Sequence, residues 1–128
     1  MIRPFFIVSL LVCASAFPYT LTCKSRPDSK EEILIVMKHS DLIENEITEG
    51  KLERTYTVPF SGGKKAHDEA RIQRQAVSFG MIPVFKAKSP KQNYAILLYA
   101  RIGATRAMLL SADDSSLKDH NLACTDDL

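Results

Sequence analysis

Two cysteines near opposite ends of the chain constrain its folding more than any other feature. Arg3, an apolar run from Phe5 to Ala14 and the small-residue site Ala14-Ser15-Ala16 read together as a secretory signal peptide. Residues 1–16 are set aside on that ground, and Cys13 leaves with them. Residues 17–128 then form one domain, with Cys23 near its start and Cys124 near its end. In an oxidising compartment an isolated pair has one available connectivity, so a Cys23–Cys124 disulfide is expected. Such a bond closes a loop over nearly the whole mature chain, for which the chain-entropy model gives roughly 4–5 kcal/mol. Two cysteines do not supply the four ligands of a structural zinc site, and neither a metal nor a cofactor is expected.

Between the cysteines the most ordered stretch is Phe79 to Ser111. It reads as three consecutive strands, with Tyr94 to Ala100 apolar enough to suit a central strand covered on both faces. Pro83 places the first strand at an edge or a bulge. Gly103 marks a tight hairpin that needs a positive φ. Upstream, Tyr19 to Cys23 alternates as a short strand, and Arg26-Pro27 breaks it. Ser29-Lys30-Glu31-Glu32 has the form of a capping box, and Ile33, Val36, Met37, Ile43 and Ile47 recur at helical spacing. The pattern predicts a helix from about Ser29 to Ile47, with Gly50 just past its end. Glu53 to Phe60 alternates again as a half-buried strand. Ala66 to Ala76 fits a short surface helix or an ordered loop, and Ala112 to Leu128 an irregular return to Cys23. The sum is an α+β fold with one helix packed on an antiparallel sheet. Its core pairs Ile33, Val36 and Ile43 with Ile96, Leu98, Met108 and Leu110.

Charge is uneven. Asp28 to Glu53 holds three Lys against eight acids, Asp113 to Asp127 one Lys against five, and Lys64 to Lys91 seven basic residues against two acids. Lys64, Lys65, Arg71, Arg74, Lys86, Lys88 and Lys91 are therefore the candidates for contact with RNA or another partner. His39, His67 and His120 stand apart from any nucleophile pattern, and no HExxH, GxSxG, P-loop or dinucleotide fingerprint occurs. Ser61-Gly62-Gly63-Lys64-Lys65 reads as a flexible turn.

The layout of signal peptide, aromatic-rich start into Cys23, one helix, a strand, a meander and a last cysteine resembles the ribonuclease-like secreted effectors of powdery mildew fungi. These share the fold of guanyl-specific fungal ribonucleases. Phe79 to Phe85 is similar to that family's strand with an internal Pro, and Tyr94 to Tyr99 to its central strand. The resemblance puts Met81 and Tyr94 where the family's glutamate and arginine would stand, and puts no histidine in Thr55 to Phe60. General acid–base cleavage of RNA needs a proton acceptor, a donor and a cation. The resemblance thus implies a non-catalytic secreted effector, monomeric and able to enter a host cell. It would bind a host protein, with RNA as a weaker partner, and make no membrane contact after signal cleavage. Two alternatives stay open. One is a cystatin-like protease inhibitor, suggested by Gln75 to Phe79, and the other an active secreted ribonuclease.

Overall fold

A computed structural model describes residues 19–29, 31–40, 45–111 and 120–127; the signal-peptide reading of residues 1–16 lies outside them. Every regular element among the described residues is a strand, and all pairings are antiparallel. The elements are β1 (Tyr19–Lys24), β2 (Glu32–His39), β3 (Ile47–Thr57), β4 (Lys65–Ile72), β5 (Val77–Phe79), β6 (Ile82–Lys88), β7 (Asn93–Arg101), β8 (Ala104–Ser111) and β9 (His120–Asp127). Each strand pairs with the next except β4, which pairs directly with β6 while β5 rides on β6 as a short excursion, and β9 returns to β1. The result is a closed, eight-stranded, up-and-down barrel. Closure removes the free sheet edges that an open sheet would expose.

The expected helix on an antiparallel sheet is therefore wrong, and the reason is visible in the residues. Ile33, Leu34, Ile35 and Val36 satisfy a period of 2 as well as a period of 3.6, and three of the four are β-branched. Ile33, Ile35, Met37 and His39 point into the barrel, whereas Val36 points out. The apparent capping box is a turn: Ser29 N–H donates to the Arg26 carbonyl (3.0 Å) around Pro27, and the Ser29 hydroxyl accepts from Glu31 N–H. Ile43, placed in the core by the helix reading, lies outside the described residues. Gly50 ends no helix. It sits buried in β3, where an added Cβ would stand 2.5 Å from Ile47 Cδ1 and 2.8 Å from Ile72 Cβ. Thr48 is the extra residue of a bulge there, since Lys38 faces Glu49 while His39 faces Ile47.

The three strands expected between Phe79 and Ser111 are present as β6, β7 and β8. Tyr94 and Ile96 are buried in the barrel, but Ala95, Leu97 and Tyr99 on the outer face are only half-covered, so the strand is not sandwiched. In β8 the inward residues are Ala107 and Leu109, not Met108 and Leu110. Pro83 stands where β6 has left β7, whose pairing ends at Val84, so the missing N–H costs no ladder bond. Ile102 (φ 51°) and Gly103 (φ 74°) form the two-residue β7–β8 turn, both in the left-handed region as a type I′ turn requires. Residues 66–72 of the undecided segment belong to strand β4. Within the expected irregular return, residues 120–127 form another.

Interior side chains fill the barrel, as is usual for eight strands. Leu21, Ile35, Met37, Leu52, Ile72, Phe85, Ile96, Leu109 and Leu122 make up most of this core. Lys51, Glu53, Glu69, Arg71 and Lys86 alternate with inward residues and are wholly or partly exposed, at heights where a membrane barrel would carry an apolar belt. Cys23 and Cys124 face each other across β1 and β9 and are joined by a disulfide. The bond staples the two strands whose pairing closes the barrel.

Candidate functional site

Two groups of polar residues compete for the role of a site. The first lies inside the barrel, at the end where β3 turns into β4. Arg54 is 1% exposed and opposes Asp68 across β3 and β4. Its guanidinium grips the Glu31 carboxylate with two hydrogen bonds (2.6 and 3.2 Å) and lies 4.1 Å from the Tyr56 ring centroid. Asp68 accepts hydrogen bonds from the Tyr94 hydroxyl and from Ser89 (2.8 Å). Burial, followed by the bond to Asp68, pushes the Tyr94 phenol well above its ordinary range. Tyr94, Asp68 and Ser89 are all buried, so these groups satisfy one another within the packed interior.

The second group is on the outside, where β4 and β6 pair. Alternation turns Lys65, His67, Glu69 and Arg71 of β4 outward, and Lys86 and Lys88 of β6 likewise. Arg71 directly opposes Lys88, and on its other side it opposes Lys51 of β3. Three cations thus stand in a row across three adjacent strands, where directly opposed like charges are destabilising. Lys51 is offset by Glu53 (3.1 Å) and Glu69 (3.4 Å), and these partners raise its pKa, the Glu53 hydrogen bond most. Arg71, Lys86 and Lys88 make no ion pair among the described residues. A groove of about 760 Å³ runs beside them, and Gly50, Lys51, Glu69, Arg71, Arg74 and Lys88 are among its walls.

Of the seven basic residues singled out by sequence, Arg71, Arg74 and Lys88 line this groove, and Lys86 lies beside them on β6. Arg74 is 3.7 Å from Glu46. Lys91 reaches along β4 and donates to the His67 carbonyl (3.2 Å). Lys64 and Lys65 open β4 at the far end of the same stripe. Lys51 and His67 belong to this surface and were missed, since Lys51 sits in an acid-rich stretch and only strand pairing puts it next to Arg71. A simpler signal was present: no Asp or Glu occurs from Ala70 to Ala112. His67 itself is held by Thr55 (3.1 Å) and Glu69 (3.3 Å), and its bond to Glu69 is the main cause of that carboxyl's lowered pKa.

The ribonuclease positions do not survive the change of fold. Tyr94 is an interior residue, and Met81 is a fully exposed turn residue at the other end of the barrel. Among the described residues no group of three or more His, Cys, Asp or Glu could hold a metal, and no helix is long and apolar enough to cross a membrane. No protein-family model, curated protein or solved structure matches this chain. What defines the molecule is its own architecture: a filled, disulfide-closed barrel with a cationic outer stripe.

Proposed function

We propose that this protein is a secreted, non-catalytic binding module whose cationic stripe takes an anionic macromolecule. The carrying observation is the row Lys51, Arg71 and Lys88, like charges placed directly opposite one another on three strands. A barrel has no structural use for that arrangement, and a polyanion would relieve it. The buried polar residues support the same reading from the other side, because Arg54, Glu31, Asp68 and Tyr94 are committed to each other. The ribonuclease ancestry is dropped, since the fold that motivated it is not this one.

Retention of the protein on immobilised heparin across a salt gradient tests the proposal. Arg71→Glu and Lys88→Glu should each elute at lower salt than the wild type, and the double variant should hardly bind. Neither change should lower the melting temperature, because each replaces a repulsive cross-strand pair with an attractive one. Equal elution of wild type and double variant would refute the assignment of this face.

A further inference from the structure

Phe60 is the most conspicuous side chain that the fold leaves unexplained. It is completely exposed, touching none of the core, and its φ is 60°. Pro59 and Phe60 are the two central residues of the turn that follows Val58. The second of these positions holds a left-handed backbone, where such turns ordinarily place Gly or Asn. A left-handed conformation costs a non-glycine residue roughly 1–2 kcal/mol, and exposing the ring forgoes its burial. The turn is nonetheless well tied. The Ser61 hydroxyl donates to the Val58 carbonyl (2.6 Å) and accepts from Lys64 N–H (3.1 Å), while Val58 N–H donates to the Lys64 carbonyl (2.8 Å). Phe60 is thus held out by a braced loop.

That loop heads the cationic stripe. Lys64 lies within it and Lys65 opens β4 opposite Thr57. His67 follows on the outer face, with Lys91 bound to its carbonyl, and Arg71 and Lys88 lie further down. Two acids interrupt this face, Glu69 on β4 and Glu53 opposite it on β3, and both are already engaged: Lys51 pairs with each, and His67 shares Glu69. Outward residues of a strand repeat about every 6.6 Å, a pitch that an extended sugar–phosphate backbone can follow. An aromatic platform beside a line of cations is how proteins hold unpaired bases while tracking their phosphates.

We infer that the anionic partner is a single-stranded nucleic acid, with Phe60 stacking on a base and the β4–β6 cations following the backbone. This rests on the stripe being the binding face, and it adds a requirement that charge alone does not impose. The chain has no tryptophan, so Phe60→Trp would carry the only indole and report stacking directly. Titration of that variant with a 12-residue oligouridylate should quench its fluorescence, whereas a heparin fragment of similar charge should bind without quenching. Phe60→Ala should weaken oligouridylate binding about ten- to a hundredfold and leave heparin retention unchanged. Heparin binding with no effect of Phe60→Ala on the oligonucleotide, and no quenching, would overturn the inference and leave the cationic face standing. Loss of both ligands equally in Phe60→Ala would overturn it too, since a stacking platform should not matter to heparin. Failure of the wild-type protein to bind either ligand would bring down both the face and the inference.

Discussion

His39 is buried at 3% exposure, and neither of its ring nitrogens has a hydrogen-bond partner among the described residues. Its ring stacks on Tyr19 (centroids 4.9 Å apart) and meets the edge of Phe85 at 6.3 Å. Desolvation lowers its pKa below 6.5, and the nearby carboxylate of Asp126 only partly opposes this. Folding therefore favours the neutral ring, and the native state binds fewer protons than the unfolded chain. The contribution of His39 to stability is fully present above pH 6.5 and is lost as pH falls through the lower native value. Urea unfolding at pH 7.5 and pH 5.0 should show a drop at acid pH that is smaller in His39→Phe, which keeps a stacking ring without the titrating nitrogen. An unchanged drop in that variant would mean that His39 does not carry the acid sensitivity. Gly50 makes a similar point about space. It gives room to Ile47 and Ile72 inside β3, a use of glycine that its position before Lys51 in the sequence does not announce.

At the scale of the element, register decides what each strand contributes. β8 turns Ala107 and Leu109 inward, and Leu109 faces Ile96 across β7. Leu109→Ala should cost about 2–5 kcal/mol, in the range of a buried leucine. Leu110→Ala, on the half-covered outer face, should cost well under half of that, and denaturant melts of the two variants settle the register. The reverse ranking would restore the face assigned to Met108 and Leu110 by sequence. The meander of β6, β7 and β8 was legible because Gly103, Pro83 and the apolar run from Tyr94 to Ala100 all mark strands and turns locally. β2 was misread because Leu34 and Val36 are apolar on the outer face, which blurs a period of 2 into one that also fits a helix. β4 was illegible for the opposite reason. Its inward face runs Ala66, Asp68, Ala70 and Ile72, and an alternation that includes a buried carboxylate shows only once Tyr94 and Ser89 arrive to satisfy it. The cationic residues of the site were readable as a charge block, but their convergence was not. Arg71, Lys88 and Lys51 become neighbours only through the closure of β4 on β6 and its pairing with β3.

Considered whole, the barrel is a ring of hairpins with two non-sequential joints, a local one between β4 and β6 across the β5 excursion and a long-range one, the pairing of β1 with β9. All other neighbours in the ring are linked by short stretches of chain, so their contacts form at small loop-closure cost. The β1–β9 joint must bring together residues 101 positions apart, and its closure entropy is the largest in the fold. The Cys23–Cys124 disulfide sits within that joint, where the two residues are directly paired. Cross-linking there restricts the unfolded chain most, which is why the bond should matter more than one placed in any hairpin. Cys23→Ser together with Cys124→Ser should lower stability by about 2–5 kcal/mol, measured by urea unfolding. The two serines also place hydroxyls in a tight interior beside Leu122 and Ile35, so that comparison alone mixes two effects. Reduction of the wild-type protein with dithiothreitol separates them, because it opens the bond without adding a hydroxyl. The reduced wild type should retain its β-sheet circular dichroism at 25 °C and unfold at lower urea than the oxidised form. Hydrogen exchange should then rise first in β1 and β9, with the β6–β7–β8 meander remaining protected. A uniform rise across all eight strands would show that the barrel opens as one cooperative unit and that the joint is no weaker than its hairpins.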